Sequence, residues 1–244
     1  MALVQSQGVS FIMAIYDAST YLIQNTIDSI QRNAPDKYEI ILQVNSSSEC
    51  HVDELTNLDN VLVYKESDTG IYNALNRAIV NCKYEWLMVF GAGDLLLTSS
   101  LFNRKVPEGI NVLFGNTQYR HNTGPVTYDN LKNHVRWNRG MYFCHQSCIT
   151  RKSAVELLKG FSEKFQLSSD YHLYLRMKPD SFMYVPGIVS EYILNGQSYL
   201  RVKESIRERV LIRHQVLGSP KIKFYIDAFV WEIFLLLRSV KPRR

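Results

Sequence analysis

Apolar runs of strand length alternate along the first hundred residues with stretches in which apolar positions recur every three or four. Val9 to Ile15 is an apolar strand candidate. Leu22, Ile23, Ile27 and Ile30 then share one face of a helix that Asp17 and Ser19 can cap and that Asn33 and Pro35 stop. Glu39 to Val44 and Val61 to Tyr64 read as the next strands. Ile71, Ala74, Leu75, Ala78 and Ile79 return to helical spacing, and Trp86 to Phe90 is a buried strand. Strands alternating with helices at this spacing predict an α/β fold: a Rossmann-like, mostly parallel central sheet flanked by helices, with right-handed crossovers.

Beyond Leu101 the pattern loosens. Val112 to Tyr119 reads as a strand, and polar Arg120 to Asn138, with Gly124 and Pro125, as a loop or hairpin over a site. Tyr142 to Ile149 is a strand candidate containing His145 and Gln146. Ser153 to Leu158 is helical. Ser168 to Met177 resumes helix, with Ser168 or Ser169 as cap and Asp170 in the first turn. Tyr184 to Tyr192 is a late strand, Gly196 to Ser198 a turn, and Arg201 to Leu217 a charged helix closed by Gly218 and Pro220. The expected division is one domain over residues 1–200 and a helical appendage over 201–244.

Charge sharpens the view of that appendage. From Lys221 onward six basic residues face two acids, while the remaining 22 basic and 21 acidic residues nearly cancel, which argues against a nucleic-acid surface on the body. Ile222 to Leu237 is aromatic-rich but short for a bilayer span and interrupted by Asp227 and Glu232. Two readings stand: a helix lying in a membrane interface, drawn by anionic lipid, or a helix docked on the body or in a dimer contact. Four cysteines are too few for a disulfide scaffold, and the short, uncharged Met1 to Gly8 does not read as a secretory signal. The expected setting is cytoplasmic, with a peripheral place on the inner face of the inner membrane. Cys144 and Cys148 flank His145, but with no second paired cluster they read as structural thiols rather than as a zinc site.

Candidate chemistry concentrates between Glu66 and Asp94. Ser67, Asp68, Thr69 and Gly70 supply turn and cap chemistry before the helix. The following strand ends in Gly91, Ala92 and Gly93, which let a ligand approach the backbone, and then in Asp94. Ligands of α/β sheets sit outside the carboxyl ends of strands. Taken singly, Asp94 is a turn acid or a metal ligand, and Asp170 a helix-capping acid or a base. His145 on an apolar strand is a core histidine or a site residue.

The order of these motifs resembles the inverting family 2 glycosyltransferases of the glycosyltransferase A fold, particularly the bacterial exopolysaccharide and colanic-acid type. Their SEPDxGIYDAMNKG segment corresponds to Glu66-Ser67-Asp68-Thr69-Gly70-Ile71-Tyr72-Asn73-Ala74-Leu75-Asn76-Arg77, and their FLNSGD or FLNADD strand end to Val89-Phe90-Gly91-Ala92-Gly93-Asp94. His145-Gln146 matches an HQ pair. Ser168-Ser169-Asp170-Tyr171 with Arg176 matches SSDYxLxxR, and Val189-Ser190-Glu191 with Gly196 and Ser198 matches VSExxxxGxS. The likeness runs from about Val9 to Ser198, and several motifs in one order make it specific.

The resemblance implies transfer of a sugar, with inversion, from a nucleotide-diphosphate sugar donor. The acceptor would be an oligosaccharide, lipid-linked, in bacterial surface polysaccharide biosynthesis. It assigns donor binding to the half over about 1–100 and acceptor binding to about 101–200. Asp170 is the expected base and Asp94 the ligand of a Mg2+ or Mn2+ ion. Ala14, Tyr16, Asn45, Asp68, Gly70, Asn73, Gly91 and Ala92 are expected on the donor. His145, Gln146 and Arg176 are expected on the diphosphate or acceptor, Arg176 by pairing with phosphate or with Asp170. Tyr72 is expected to pack. The chain departs from the family where Val44-Asn45-Ser46-Ser47 replaces an acidic DGGS or DDGS element, and where Gly93 replaces a second acid. These departures leave a catalytically weak or inactive nucleotide-sugar-binding scaffold as the alternative.

Overall fold

A computed structural model describes residues 3–120, 126–128, 142–194 and 201–218. After a single helical turn, α1 (Val4–Gln7), come β1 (Val9–Ile15), α2 (Thr20–Asn33), β2 (Tyr38–Asn45), β3 (Val61–Glu66), α3 (Ile71–Asn81) and β4 (Trp86–Phe90). Ser19 starts α2 by accepting the Leu22 N–H, and α2 stops where Pro35 follows Ala34. Strands β3, β2, β1 and β4 lie side by side and parallel, as the alternation predicts.

The side-chain period of two splits the core between the two faces of this sheet. Phe11, Met13 and Ile15 of β1 pack with Ile23, Ile27 and Ile30 of α2, whereas Ile12 packs with Leu75, Ala78 and Ile79 of α3. Strands buried on both faces need largely apolar sequence, which is why β4 is an unbroken run, β1 is interrupted only by Ser10, and β2 keeps Ile40, Ile41, Leu42 and Val44 between its polar residues.

The second half adds β5 (Leu95–Leu96), β6 (Val112–Arg120), β7 (Thr127–Tyr128), β8 (Cys148–Arg151), α4 (Lys152–Leu157), α5 (Ser169–Leu175), β9 (Phe182–Ile193) and α6 (Val202–Leu217). The sheet order is β3-β2-β1-β4-β8-β6-β9-β5. Here pairing is mixed: β8 runs antiparallel to both β4 and β6, β5 antiparallel to β9, and β6 parallel to β9. The strand expected over Tyr142 to Ile149 is shorter. His145 to Ser147 form a 3-10 turn, and β8 starts only at Cys148. The cause lies at Ser147, whose hydroxyl is drawn into a buried cluster with Thr117 at 2.7 Å and Ser190 at 2.6 Å.

Within the expected hairpin over Arg120 to Asn138, Thr127–Tyr128 pair antiparallel with β6. Gly196, Ser198 and the aromatic segment Ile222 to Leu237 lie outside the described residues. Helix α6 packs on the body: Ile212 is fully buried in the α3-side core, among Tyr171, Leu173 and Tyr174. Among the described residues no helix is long and apolar enough to cross a membrane.

Candidate active site

At the carboxyl end of β4 the chain turns through Gly91 to Asp94. Gly93 holds φ +98°, a conformation that favours glycine, and donates its N–H to Thr26 Oγ1 of α2 at 2.9 Å. The turn folds the Asp94 carboxylate back on the strand. Its Oδ2 accepts the Gly91 N–H at 2.8 Å, and its Oδ1 accepts the Ile193 N–H at the end of β9 at 3.2 Å. A Cβ on residue 91 would stand 3.0 Å from Asp94 Oδ2, so the room left by Gly91 is taken by Asp94 itself. Asp94 is 3% exposed. Burial pushes its carboxyl up to about 7, against the opposing pull of the Gly91 and Ile193 N–H groups, the charge of His145 and the Gln146 amide.

His145 and Gln146, in the turn before β8, therefore face Asp94. His145 also reaches the other way, and its Nδ1 lies 2.9 Å from Asp170 Oδ2 in the first turn of α5. Asp170 Oδ1 accepts the Tyr171 N–H at 2.7 Å. Burial works to raise this carboxyl, but it is outweighed by the hydrogen bond and charge of His145, by Arg209 on α6 and by the Tyr171 N–H, so it sits below the ordinary aspartate range. Two carboxylates around one histidine are thus pushed apart, one toward the neutral acid and one held as the anion. Such a division is how a site separates proton-accepting from other carboxylate roles.

Tyr72, in the first turn of α3, belongs to the same cluster. Burial, then the Asp170 charge, raise its phenol well above the usual range, while the backbone N–H groups of Asp170 and Ser169 lean on its oxygen. Its ring lies tilted against Phe161, with centroids 5.6 Å apart. It joins the segment after Gly70 to the start of α5, a role that packing periodicity alone does not reveal.

On the expected donor side, Tyr16 stands 64% exposed just past β1, and Ala14 is half-buried one strand from Gln43. Other residues there have much of their hydrogen bonding spent locally. Asn45 Oδ1 accepts the Ser47 N–H at 2.9 Å and the Ser47 hydroxyl at 2.6 Å, and its Nδ2 reaches Asp68 O at 3.5 Å, so this amide builds its own turn. Asp68 Oδ1 accepts the Gly70 N–H at 2.9 Å, which shapes the entry to α3. Gly70 is the N-cap of α3 at φ +136°. Asn73 donates to Glu163 Oε1 at 3.0 Å and accepts from Arg77 Nε at 3.1 Å. Thr69 also donates to Glu163, a residue that no local pattern singles out. Ala92 is half-buried in the turn before Asp94.

Arg176 does not make the expected pair with Asp170. Its Nη2 and Nε are spent on the carbonyls of Gly160 at 3.2 Å and His172 at 3.3 Å, because α5 ends at Leu175 and the guanidinium folds back over the helix end. Asp94, His145, Gln146 and Asp170 are brought together; Asn45, Asp68 and Asn73 form a second group tied to the start of α3.

No protein-family model matches the chain. It is 21% identical over 182 residues to the PGL/p-HBAD biosynthesis glycosyltransferases of Mycobacterium bovis (strain BCG / Pasteur 1173P2) and of Mycobacterium tuberculosis (strain ATCC 25618 / H37Rv), covering 68% of this chain and 66% of each relative. Among solved structures it is similar to the mannosyltransferase PcManGT from Pyrobaculum calidifontis in complex with GDP-Man and Mn2+. That likeness has a TM-score of 0.64 and 16% identity, over 87% of this chain and 64% of the other. S. aureus TarS in complex with UDP is similar with a TM-score of 0.61 and 12% identity, over 84% of this chain and 65% of the other. The chain thus spans just under two thirds of the length of these proteins. The fold is of the glycosyltransferase A type.

Proposed function

We propose that the chain is a glycosyltransferase that moves a sugar from a nucleotide-diphosphate donor to a hydroxyl of an oligosaccharide acceptor by a single inverting displacement. The observation that carries this reading is the Asp170 carboxylate, held as the anion against His145, whose charge also acts on Asp94 at the end of β4 in a glycosyltransferase A fold. The relatives named as glycosyltransferases and the neighbours complexed with GDP-Man and UDP support it. A lipid-linked acceptor, surface polysaccharide as the product and a peripheral place at the cytoplasmic face extend the same reading.

In this mechanism the acceptor oxygen attacks the anomeric carbon, and the bond from that carbon to the diphosphate oxygen breaks with its electron pair on the leaving nucleoside diphosphate. The acceptor proton passes to Asp170, which a carboxylate below its usual range is ready to accept only as the new bond forms. His145 holds Asp170 Oδ2 and the Tyr171 N–H holds Oδ1, which fixes the carboxylate while each oxygen keeps a further lone pair for the incoming hydroxyl. Tyr16, exposed beside the first strand, offers a ring face to the donor base.

The residues around Asp94 fit a divalent cation with one protein carboxylate. Each Asp94 oxygen accepts one backbone hydrogen bond and the Gln146 amide adds a third donor, yet with its carboxyl raised to about 7 the group is a buried charge short of compensation. Among the described residues no group of three or more His, Cys, Asp or Glu is placed to hold a metal ion by itself, so donor oxygens and water would complete the shell. When bound, Mg2+ or Mn2+ would neutralise charge on the leaving diphosphate.

The test is release of nucleoside diphosphate from a panel of GDP-, UDP- and thymidine-diphosphate sugars, with and without Mn2+, compared with Asp170→Asn. Release that depends on Asp170 supports the enzyme. Saturable donor binding without release supports the scaffold alternative, which the local engagement of Asn45 favours.

A further inference from the structure

Helix α6 is clamped onto the segment that leads into α5. The Ser205 hydroxyl lies 3.1 Å from the Ser168 hydroxyl, and the Ser205 carbonyl accepts from Ser168 Oγ at 3.2 Å. Glu208 accepts the N–H groups of Gln166 and Leu167, each at 2.9 Å. Ser205, Arg209 and Ile212 follow at spacings of four and three, so one face of α6 carries them all toward α5. Ser205 and Ile212 are buried on that face. Arg209, one turn beyond the Ser205 clamp, has its Nε buried and without a hydrogen-bond partner.

We propose that Arg209 is a positioning residue of the active site: carried over α5 by the Ser205 and Glu208 clamps, its guanidinium is the second cation of the Asp170 carboxylate, beside His145. This rests on the reading of Asp170 as the base. A comparison inside the molecule supports it. Asp94, which His145 reaches only through its charge and which has no arginine beside it among the described residues, is pushed up to about 7, whereas Asp170 is held low first by the hydrogen bond and charge of His145 and next by the charge of Arg209. The other titratable groups around Asp170 are the Tyr72 phenol of α3, Tyr174 of α5 and the Cys148 thiol of β8. Burial raises all three, so they stay neutral at pH 7 and supply no counter-charge. The Tyr171 phenol, which burial also raises, faces both Arg213, one turn further along α6, and Arg209, and Glu208 is turned to backbone N–H groups. The appended helix thereby becomes part of the base's setting.

The experiment titrates the Asp170 carboxyl directly by carbon-13 NMR in the full chain labelled at aspartate, with Asp170→Asn identifying the signal. Arg209→Gln is expected to raise the Asp170 midpoint by about one unit, the size of losing one nearby opposite charge. Arg209→Lys is expected to leave it near the parent's. Arg209→Met takes the place of the glutamine variant if that variant does not fold. A midpoint unmoved in Arg209→Gln, or moved equally in Arg209→Lys, overturns the proposal, as does a fall in melting temperature with no change in titration. Turnover retained in Asp170→Asn would instead end the reading of the base and leave the titration result standing.

Discussion

His145 and Asp170 stand 25 positions apart in the chain and 2.9 Å apart in the fold. One enters from the turn before β8 and the other from the first turn of α5, so their meeting depends on how α5 sits against the sheet. Tyr171, fully buried beside Asp170, and Ser147, fully buried beside His145, anchor the two backbones that carry the pair.

Asp170→Asn is expected to lower sugar transfer by roughly 10²- to 10⁴-fold, the usual worth of a general base, with little change in melting temperature. The asparagine carbonyl still accepts the Tyr171 N–H. His145→Gln should cost less, and the double variant no more than Asp170→Asn alone, because the two act as a unit. Steady-state turnover of the three variants checks this; additive losses would separate the residues.

For Asp94 the sign runs against stability at high pH. Its folded carboxyl is raised to about 7, so the protonated form is the one the fold prefers. That contribution is complete below about pH 4 and is lost as pH rises through about 7, amounting to about 4 kcal/mol at most. Urea unfolding at pH 5 and pH 8 in cation-free buffer should show a larger fall for the parent than for Asp94→Asn. Added Mn2+ should recover more stability at pH 8 than at pH 5 in the parent alone, since proton and cation compete for one carboxylate.

Asn76 holds both polar groups of Phe161: its Nδ2 donates to Phe161 O at 2.9 Å and its Oδ1 accepts the Phe161 N–H at 2.8 Å. Asn76→Ala should cost about 2 kcal/mol by leaving part-buried backbone unpaired. Gly160→Ala should cost a similar amount. Residue 160 has φ +70°, and a Cβ there would lie 2.5 Å from Asn76 Oδ1. Both variants loosen the loop that brings Glu163 to Asn73. Chemical denaturation measures the cost.

Ile212→Ala should destabilise the whole body by about 2–5 kcal/mol, the range for emptying a fully buried aliphatic site. The transition should stay single, because α6 shares its core with α3 and α5. A separate early transition, with the rest of the protein unaffected, would make α6 an independent appendage.

The sequence by itself determined the parallel half of the sheet, its two flanking helices and the glycine turn ahead of Asp94. Each of these is written in a window of a few residues, where the spacing of apolar side chains decides which face is buried. The local turn acids were legible for the same reason, Asp68 on the Gly70 N–H and Asp94 on the Gly91 N–H. Only the tertiary structure decided that His145 leaves the strand to meet Asp170, that Asn73 is held by Glu163 from 90 positions away, and that α6 joins the core. It also decided that Arg176 turns to backbone carbonyls while Arg209 faces Asp170. A charged side chain carries no periodic mark of its partner. Its role is set by which groups packing leaves within hydrogen-bond reach and by how much water the burial removes, and both exist only once distant segments have come together.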